Sequence, residues 1–153
     1  MEFVAEKVFE SGNKVILNPA PVKQLSDNLL KCLYIITPNE IEAELLTGIK
    51  VTDALSAEKC AEKLNAKGVR NVIITMGAAG AYLLSEKVSK IIPVVPVRAL
   101  DTTAAGDVFN GALAVAISEG KELEEAVDFA NKAASISVTH MGAQASAPYR
   151  KEI

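Results

Sequence analysis

The sequence predicts a three-layer αβα fold of the α/β class, in which helices cover both faces of a mostly parallel sheet. Over the first half of the chain, short apolar runs of strand length alternate with amphipathic segments of helix length. This alternation is typical of βαβ units and of a parallel sheet that is buried on both faces. The chain has 153 residues, which is enough for one such domain with one core.

The composition excludes several classes of protein. Half of the residues are apolar, 23% are charged and the net charge is -3. There is no cluster of Lys or Arg, which argues against a nucleic-acid surface, and no apolar run reaches the roughly 20 residues that span a bilayer. The isolated cysteines Cys32 and Cys60 and the single His140 do not predict a zinc site or a disulfide scaffold. An acidic N-terminus without a signal peptide and two free thiols favour the cytoplasm.

Residues 1–76 supply most of the predicted strand and helix alternation. Gly12, Gly48 and Gly68 are placed to end helices, and Asn18-Pro19 ends a strand. In chain order, we expect a helix near 3–8, a strand at 15–17, a helix at 23–31, a strand at 33–36, helices at 39–46 and 57–66, and a strand at 72–75.

The second half begins with two neighbouring strands, at 81–84 and 91–97, that are close enough to form an antiparallel hairpin. The second of these contains two prolines, which predicts an edge position in the sheet. Helices follow at about 107–119 and 123–138, and the last dozen residues are expected to form a loop.

The first predicted helix has no strand before it, although a crossover helix of a βαβ unit needs a strand at both ends. This unpaired helix therefore indicates that the sequence starts in the middle of a fold. The alternative is an N-terminal helix that simply packs on the sheet.

The segment 101–107, Asp-Thr-Thr-Ala-Ala-Gly-Asp, follows a strand and opens a helix. The free N–H groups of Ala105, Gly106 and Asp107 would point out of the helix start, where the helix dipole favours a phosphate. A carboxylate at that place suits a general base that takes a proton from an attacking hydroxyl. The alternative is structural, because Asp and Thr are also good capping residues.

Together with its neighbours, the segment 101–111 resembles the C-terminal signature of the ribokinase, or phosphofructokinase-B, family of carbohydrate kinases. The segments 17–21, 37–48 and 142–146 resemble further parts of the family pattern, in the same order. The resemblance implies a ribokinase-like fold that is truncated, without its N-terminal strands and lid. Residues 1–153 would then be the C-terminal part of the domain, which carries the nucleotide site and the catalytic base.

The family transfers the γ-phosphoryl group of ATP to a sugar hydroxyl. By resemblance, Asp107 is the general base, and Ala105, Gly106 and Asp107 form the anion hole. The segments 17–21 and 142–146 favour ribose as the sugar, with ribose 5-phosphate and ADP as products. The commonest family pattern has Gly at the place of Ala104, where a positive φ would be costly for Ala.

The resemblance also implies a nucleotide site with Mg²⁺. Asn39 and Glu42 would organise Mg²⁺ and the nucleotide phosphates, Glu42 through water. Their spacing also fits a capping box, so both roles stay open. Asn131 would contact the adenosine part. The loop that borders the nucleotide would consist of Thr75, Met76, Gly77, Ala78, Ala79 and Gly80.

Family members are activated by a monovalent cation, usually K⁺. The matching positions, several of which would act through backbone oxygens, are Asp101, Thr103, Ser137, His140, Gly142 and Ser146.

Family members are about twice this length, and their N-terminal half supplies most sugar contacts. We therefore expect a bare edge on the strand 15–17, association with a second copy or with a complementary N-terminal fragment, weak ATP binding and very low activity of the chain alone. Two other functions stay open. The chain could be a non-catalytic nucleotide-binding or interaction module, or it could belong to another sugar or nucleoside kinase of the family.

Overall fold

The computed structural model describes every residue from Met1 to Ile153. Its helices are α1 (Glu2–Glu10), α2 (Asp27–Cys32), α3 (Glu40–Thr47), α4 (Ala54–Ala66), α5 (Ala105–Ser118) and α6 (Leu123–Ser137). Its strands are β1 (Ile16–Leu17), β2 (Ile35–Ile36), β3 (Asn71–Thr75), β4 (Ala81–Leu84) and β5 (Ser89–Ile92). Short 3₁₀ helices lie at Gly77–Ala79 and Arg150–Glu152. The chain divides into two compact units, residues 1–76 with 82–91 and residues 77–81 with 92–153.

The five strands form one sheet in the order β1-β2-β3-β4-β5. The first three strands are parallel, with Ile16 beside Ile35 and Ile36 beside Val72. Residues 85–88 connect β4 to β5, and such a short connection makes this pair antiparallel. The predicted hairpin and the predicted edge position of its second strand are confirmed.

The central strand of the first unit, β3, is buried on both of its faces. Val72 and Ile74 belong to the core cluster that includes Ala57 and Leu64 of α4. Ile73 is also fully buried but points to the opposite face, as expected for a sheet that is covered on both sides. The α/β fold class predicted from the sequence is therefore confirmed, with a mixed sheet whose first three strands are parallel.

The helices α5 and α6 pack against each other and form most of the second unit. Phe109 and Leu113 of α5 and Val127 and Ala130 of α6 are fully or almost fully buried. Arg150 donates a hydrogen bond to Glu119 at 2.7 Å, and this ion pair ties the C-terminal segment to the end of α5.

Two predicted helices have different starts, because the side chains that cap them were not identified from the sequence. The helix predicted at 23–31 begins only at Asp27, where the Ser26 hydroxyl accepts a hydrogen bond from the Leu29 N–H at 3.1 Å. The helix predicted at 57–66 begins earlier, at Ala54, because Asp53 and Ser56 form a capping box. In both helices the capping residue decides where the helix begins.

The strand predicted at 91–97 was wrong in its extent. The observed strand ends at Ile92, and the residues from Pro93 to Ala99 form no strand. Pro93 and Pro96 have no N–H group to donate to a neighbouring strand, which outweighs the β propensity of the valines between and beside them.

No helix of the structure is both long enough and apolar enough to span a membrane.

Candidate functional site

The backbone at the start of α5 has an unusual conformation. Ala104 precedes the helix with φ 60° and ψ 12°, and it is the one non-glycine residue of the chain with a positive φ. This left-handed conformation turns the chain sharply from the segment 101–103 into the helix. The Ala105 N–H donates to Thr102 O at 3.2 Å, and the Val108 N–H makes the first helical hydrogen bond, to Ala104 O at 2.9 Å.

The next two N–H groups of α5 are open. Ala104 has no side chain that could cap the helix, and the N–H groups of Gly106 and Asp107 have no acceptor in the protein. The first turn of this 14-residue helix therefore presents two free donors at the positive end of the helix dipole. These are the features of an anion site.

Gly106 and Asp107 are both exposed at this helix start. A Cβ atom built on Gly106 would meet no other atom within 4 Å, and Gly106 has no positive φ. Neither packing nor backbone conformation requires glycine there, and the space beside Gly106 is open to the close approach of a ligand. The Asp107 carboxylate lies in the same turn, so one place offers both anion donors and a proton acceptor.

Asp101 fastens this turn to a distant loop. One carboxylate oxygen accepts from the Thr103 N–H at 2.9 Å, and the other accepts from the Gly142 N–H at 2.9 Å. These hydrogen bonds hold the pKa of Asp101 below its ordinary value of 3.8, with the Gly142 bond as the largest cause. The structure thus brings together three of the residues predicted to bind K⁺.

The other predicted K⁺ ligands lie at the end of α6 and in the loop after it. The hydroxyl groups of the buried Ser137 and Ser146 donate to Ala134 O at 2.8 Å and to Ala143 O at 3.0 Å. His140 Nδ1 lies 3.1 Å from Ile136 O, so this nitrogen is engaged locally. No group of three or more His, Cys, Asp or Glu side chains could hold a metal ion. A cation here would therefore be held by the single carboxylate of Asp101 together with hydroxyl and carbonyl oxygens, which is donor chemistry that suits an alkali cation.

Asn131 lines a pocket of about 310 Å³ between α6 and the segment 93–97. Pro93, Val95 and Val97 provide apolar walls, and Ser135 adds a hydroxyl. The Asn131 Nδ2 donates to Ile92 O at 2.9 Å, which leaves Oδ1 without a partner in the protein. The residues 93–97 were not predicted from the sequence as part of a site, although Pro93 and Pro96 on either side of two valines indicate an irregular apolar segment.

The loop predicted to border the nucleotide is a tight turn in its second half. The Gly80 N–H donates to Gly77 O at 3.1 Å, which closes the 3₁₀ helix Gly77–Ala79. Gly80 has φ 96°, and a Cβ atom there would overlap Ile92 O. Gly80 is therefore required for the backbone of this loop to lie directly against the end of β5.

Asn39 and Glu42 belong to the first unit, and they form the predicted capping box. The Asn39 N–H donates to Glu42 Oε2 at 2.8 Å, and the Glu42 N–H donates to Asn39 Oδ1 at 2.8 Å. The Thr75 N–H donates to Pro38 O at 3.0 Å. The structure therefore places the start of α3 beside the carboxyl end of β3, where Thr75 and Met76 begin the predicted nucleotide loop. The structural role of Asn39 and Glu42 is observed, and their chemical role stays a prediction.

A sheet with helices, together with an uncapped helix start that carries an exposed carboxylate, is an arrangement that suits an enzyme of phosphoryl transfer. The chain belongs to the pfkB family of carbohydrate kinases, whose pattern matches residues 1–150.

Among curated proteins, the chain is 49% identical over 152 residues to ribokinase from Haemophilus influenzae, which covers 99% of this chain and 50% of that protein. It is 45% identical to ribokinase from Staphylococcus aureus over 93% of this chain and 47% of that protein.

Among solved structures, ribokinase from Arabidopsis thaliana in complex with ribose and ATP has a TM-score of 0.92 at 35% identity, covering 99% of this chain and 49% of that one. Ribokinase from Thermotoga maritima has a TM-score of 0.86 at 46% identity, covering 95% and 50%. The chain therefore spans about half the length of the relatives that it matches.

Proposed function

We propose that this chain is the C-terminal, ATP-side part of a carbohydrate kinase that transfers the γ-phosphoryl group of ATP to ribose, giving ribose 5-phosphate and ADP. The observation that carries this proposal is the open start of α5, where two free N–H groups and an exposed carboxylate lie in one turn. The ribokinases among the relatives support ribose as the sugar.

Asp107 acts as the general base. Its carboxylate takes the proton from the sugar hydroxyl as that hydroxyl attacks the γ-phosphorus, and the bond to the ADP oxygen breaks. The N–H groups of Gly106 and Asp107 donate to the oxygens of the transferring phosphoryl group, where negative charge is concentrated. The Ala105 N–H, which was also predicted to belong to the anion hole, donates to Thr102 O instead, so Ala105 lines the hole without donating to the phosphoryl group.

The nucleotide base occupies the pocket beside Asn131. Apolar walls at Pro93, Val95 and Val97 suit a flat aromatic ring, and the free Oδ1 of Asn131 suits an exocyclic amine of that ring. The loop from Thr75 to Gly80 borders the nucleotide on the side of its phosphates. These assignments extend to this chain the ATP complex that the Arabidopsis structure contains.

Asn39 and Glu42 fit a Mg²⁺ ion that is held through its water shell. The capping box uses Glu42 Oε2 and leaves Oε1 without a partner in the protein, so the carboxylate can accept from a metal-bound water. When bound, Mg²⁺ neutralises charge on the nucleotide phosphates. Asp101, Thr103, Ser137, His140, Gly142 and Ser146 fit an activating K⁺ ion, whose binding would fix the turn that leads to Asp107.

The working enzyme also needs the sugar contacts, for which we propose a second copy of this chain or a complementary polypeptide as the source. The cytoplasm is the proposed location, because ATP is abundant there and because Cys32 and Cys60 are free, buried thiols. Alone, the chain should bind ATP but turn over very slowly, since nothing holds a sugar in line with the phosphate.

A kinase assay with ribose, ATP, Mg²⁺ and K⁺ tests the proposal. The chain is co-expressed with the half of the H. influenzae ribokinase that it does not match, and ADP formation is compared for the wild type, Asp107→Asn and Asp27→Asn. Asp107→Asn should lower the rate by about 10²- to 10⁴-fold, because a general base is lost. Asp27→Asn is the matched control, since it changes the same residue type in the first turn of α2.

Equal rates for Asp107→Asn and the wild type would contradict the assignment of the base. If every combination bound ATP but formed no ADP in the presence of ribose, the chain would instead be a non-catalytic nucleotide-binding module.

A further inference from the structure

The middle turns of helix α5 contain one polar side chain. Between Asp107 in the first turn and Ser118 at the end of the helix, every residue except Asn110 is apolar or glycine. Asparagine is a poor residue for a helix interior, because its amide competes with the helix for backbone groups. The half-buried Asn110, one turn beyond the anion site, therefore has a role other than favouring the helix.

The Asn110 side chain reaches back to the first turn of α5. Its Nδ2 donates to Gly106 O at 2.8 Å. Helix side chains lean toward the N-terminus, and residues three and four positions apart share one face, so Asn110 covers the turn that contains Gly106 and Asp107. As a helical carbonyl, Gly106 O also accepts from the N–H group four residues further along. Both acceptor sites of this oxygen are therefore used.

Gly106 O and the Asp107 N–H are the two ends of one planar peptide group. That N–H is one of the two open donors of the anion site. A hydrogen bond accepted by the carbonyl polarises the peptide group and strengthens donation from its N–H, by roughly 10–30% per bond. The bond from Asn110 also restrains the plane of the peptide group, and thus the direction of the Asp107 N–H.

We propose that Asn110 is a positioning residue of the anion site, whose amide group holds and polarises the peptide group between Gly106 and Asp107. The Asp107 N–H then donates more strongly to an oxygen of the transferring phosphoryl group. Asn110 acts through the backbone of its neighbours and not on the substrate itself. This inference rests on the proposed function in taking a phosphoryl oxygen as the acceptor.

Other helices of the chain show which substitution keeps the bond to Gly106 O. Thr47 Oγ1 donates to Ala43 O at 2.6 Å, and Ser135 Oγ donates to Asn131 O at 2.7 Å. Both hydroxyls reach a carbonyl four residues back in a helix, as a serine at position 110 would. Asn110→Ser therefore retains a donor to the carbonyl, whereas Asn110→Ala removes it. Because the two variants differ by one oxygen atom, comparing them isolates the hydrogen bond.

The amide proton of Asp107 tests the inference without any measurement of activity. In assigned proton–nitrogen correlation NMR spectra of the chain alone, Asn110→Ala should move this signal upfield, because the N–H of a less polarised peptide group is a weaker donor. Asn110→Ser should leave it near the wild-type position. Ser118→Ala is the matched control, since Ser118 Oγ donates to Val115 O at 2.7 Å at the other end of α5. That change should not move the Asp107 signal.

Steady-state kinetics of the chain co-expressed with the unmatched half of the H. influenzae ribokinase tests the consequence for phosphoryl transfer. Loss of a whole oxyanion donor costs about 10²- to 10³-fold in kcat, so a weakened donor should cost less, roughly three- to tenfold in Asn110→Ala. KM for ATP should stay within about twofold, because the lost interaction is strongest in the transition state. Asn110→Ser should recover most of the rate, and Ser118→Ala should behave like the wild type.

Thermal unfolding of the same variants separates this effect from folding. Alanine is a better helix former than asparagine, so Asn110→Ala should leave Tm unchanged or raise it. A slower enzyme with a Tm that is not lowered would support a role at the anion site. A fall in Tm that parallels the fall in kcat would overturn it.

Three further results would overturn the inference: an Asp107 amide signal that stays in place in Asn110→Ala, equal kcat in the Ala and Ser variants, or an equal loss of kcat in Ser118→Ala. A wild-type chain that made no ADP with the partner half would contradict the proposed function instead. The effect of Asn110 on the Asp107 N–H would then stand if the amide signal moved in Asn110→Ala alone, and it would fall if the signal moved in both variants or in neither.

Discussion

Ala104 is held in a backbone conformation that glycine adopts more easily. For a residue with a Cβ atom, the left-handed region costs roughly 1–2 kcal/mol, and part of this strain is released if the Cβ is removed. We expect Ala104→Gly to raise the free energy of unfolding by about 0.5–1 kcal/mol, since the greater entropy of Gly in the unfolded chain offsets some of the gain. Urea denaturation of the variant and the wild type measures this change in the free energy of unfolding.

Ala105→Gly is the matched control, because Ala105 is the first residue of α5 and has a helical conformation. There the same change should destabilise the protein by roughly 0.5–1 kcal/mol. If the two variants shifted stability in the same direction, strain at Ala104 would not be the explanation.

A substitution at Gly106 can distinguish an effect on ligand binding from an effect on folding. Because open space surrounds its position and its backbone is helical, Gly106→Ala should leave the stability unchanged or raise it by up to about 1 kcal/mol. The added methyl group would nevertheless stand beside the open N–H groups, so we expect kcat/KM of the co-expressed kinase to fall at least about tenfold, which corresponds to 1.4 kcal/mol.

Gly111→Ala is the control for this change, since Gly111 is also helical and also meets nothing within 4 Å, but lies more than one turn further along α5. Its kcat/KM should remain near that of the wild type. Equal kinetic losses in both variants would show that the effect comes from the helix rather than from the anion site.

The Asp101 carboxylate gives the protein a pH-dependent contribution to stability. Its pKa is lowered in the folded state by hydrogen bonds from Gly142 and Thr103, so the unfolded chain binds the proton more readily. The contribution is present above the ordinary pKa of 3.8 and is lost as pH falls through the lowered pKa of the folded state. We expect Asp101→Asn to reduce stability at pH 7 and to make little difference near pH 2. Thermal unfolding at both pH values checks this, and an equal loss at both would contradict it.

The hydrogen bond between Gly142 and Asp101 could not be predicted from local sequence patterns. Their 41 positions of separation are bridged only because α5 and α6 pack together and return the chain to the same place. From the residues alone, Asp101 read equally well as a capping residue. Its partners across the fold were implied by the family resemblance, because sequence spacing carries no information on a contact of that range.

Among the elements, α3 is the one in which structure and chemistry share the same side chains. The spacing of Asn39 and Glu42 predicts a capping box, and the structure forms it. Ser is about as good an N-cap as Asn, whereas Ala lacks the acceptor. We expect Asn39→Ser to keep the free energy of unfolding within about 0.5 kcal/mol and Asn39→Ala to lower it by about 1 kcal/mol.

If Asn39 also serves the nucleotide phosphates, Asn39→Ser should lower the kinase rate of the co-expressed enzyme even though its stability is preserved. Steady-state kinetics with ATP varied, next to urea denaturation of the same samples, separates the two roles. If the kinase rates of the two variants changed only in proportion to their stabilities, Asn39 would act as a helix cap alone.

In the segment 93–97, local β propensity alone predicts a strand that the structure does not form. Three valines favour a strand, but two prolines withhold the N–H groups that a strand would need. The close approach of Gly80 to the end of β5 adds a tertiary reason why the chain leaves the sheet after Ile92. The strands and helices of the first half were predictable in type because each has one dominant pattern, whereas their starts depended on the capping side chains of Ser26 and Asp53.

At the scale of the whole molecule, the question is whether this chain alone can bind the nucleotide that the proposed function requires. Two features of the proposed nucleotide site belong to the second compact unit: the anion donors of Gly106 and Asp107, and the pocket at Asn131. Both are formed by residues of this chain. We therefore expect the chain alone to bind ATP weakly, because a prepared phosphate site keeps part of its affinity when the sugar site is absent. Binding to the folded state alone raises stability by RT ln(1 + [ATP]/Kd).

With a Kd of about 1 mM and roughly 10 mM MgATP, this relation gives about 1.4 kcal/mol, or a rise in Tm of roughly 3–5 °C for a chain of this size. Differential scanning calorimetry over a series of MgATP concentrations measures the rise. Gly106→Ala should reduce it and Gly111→Ala should not, because only the first change obstructs the open N–H groups. A Tm that does not respond to MgATP in the wild-type chain would mean that the phosphate site is formed only in the larger assembly, and that the affinity of the kinase arises between its halves rather than within this one.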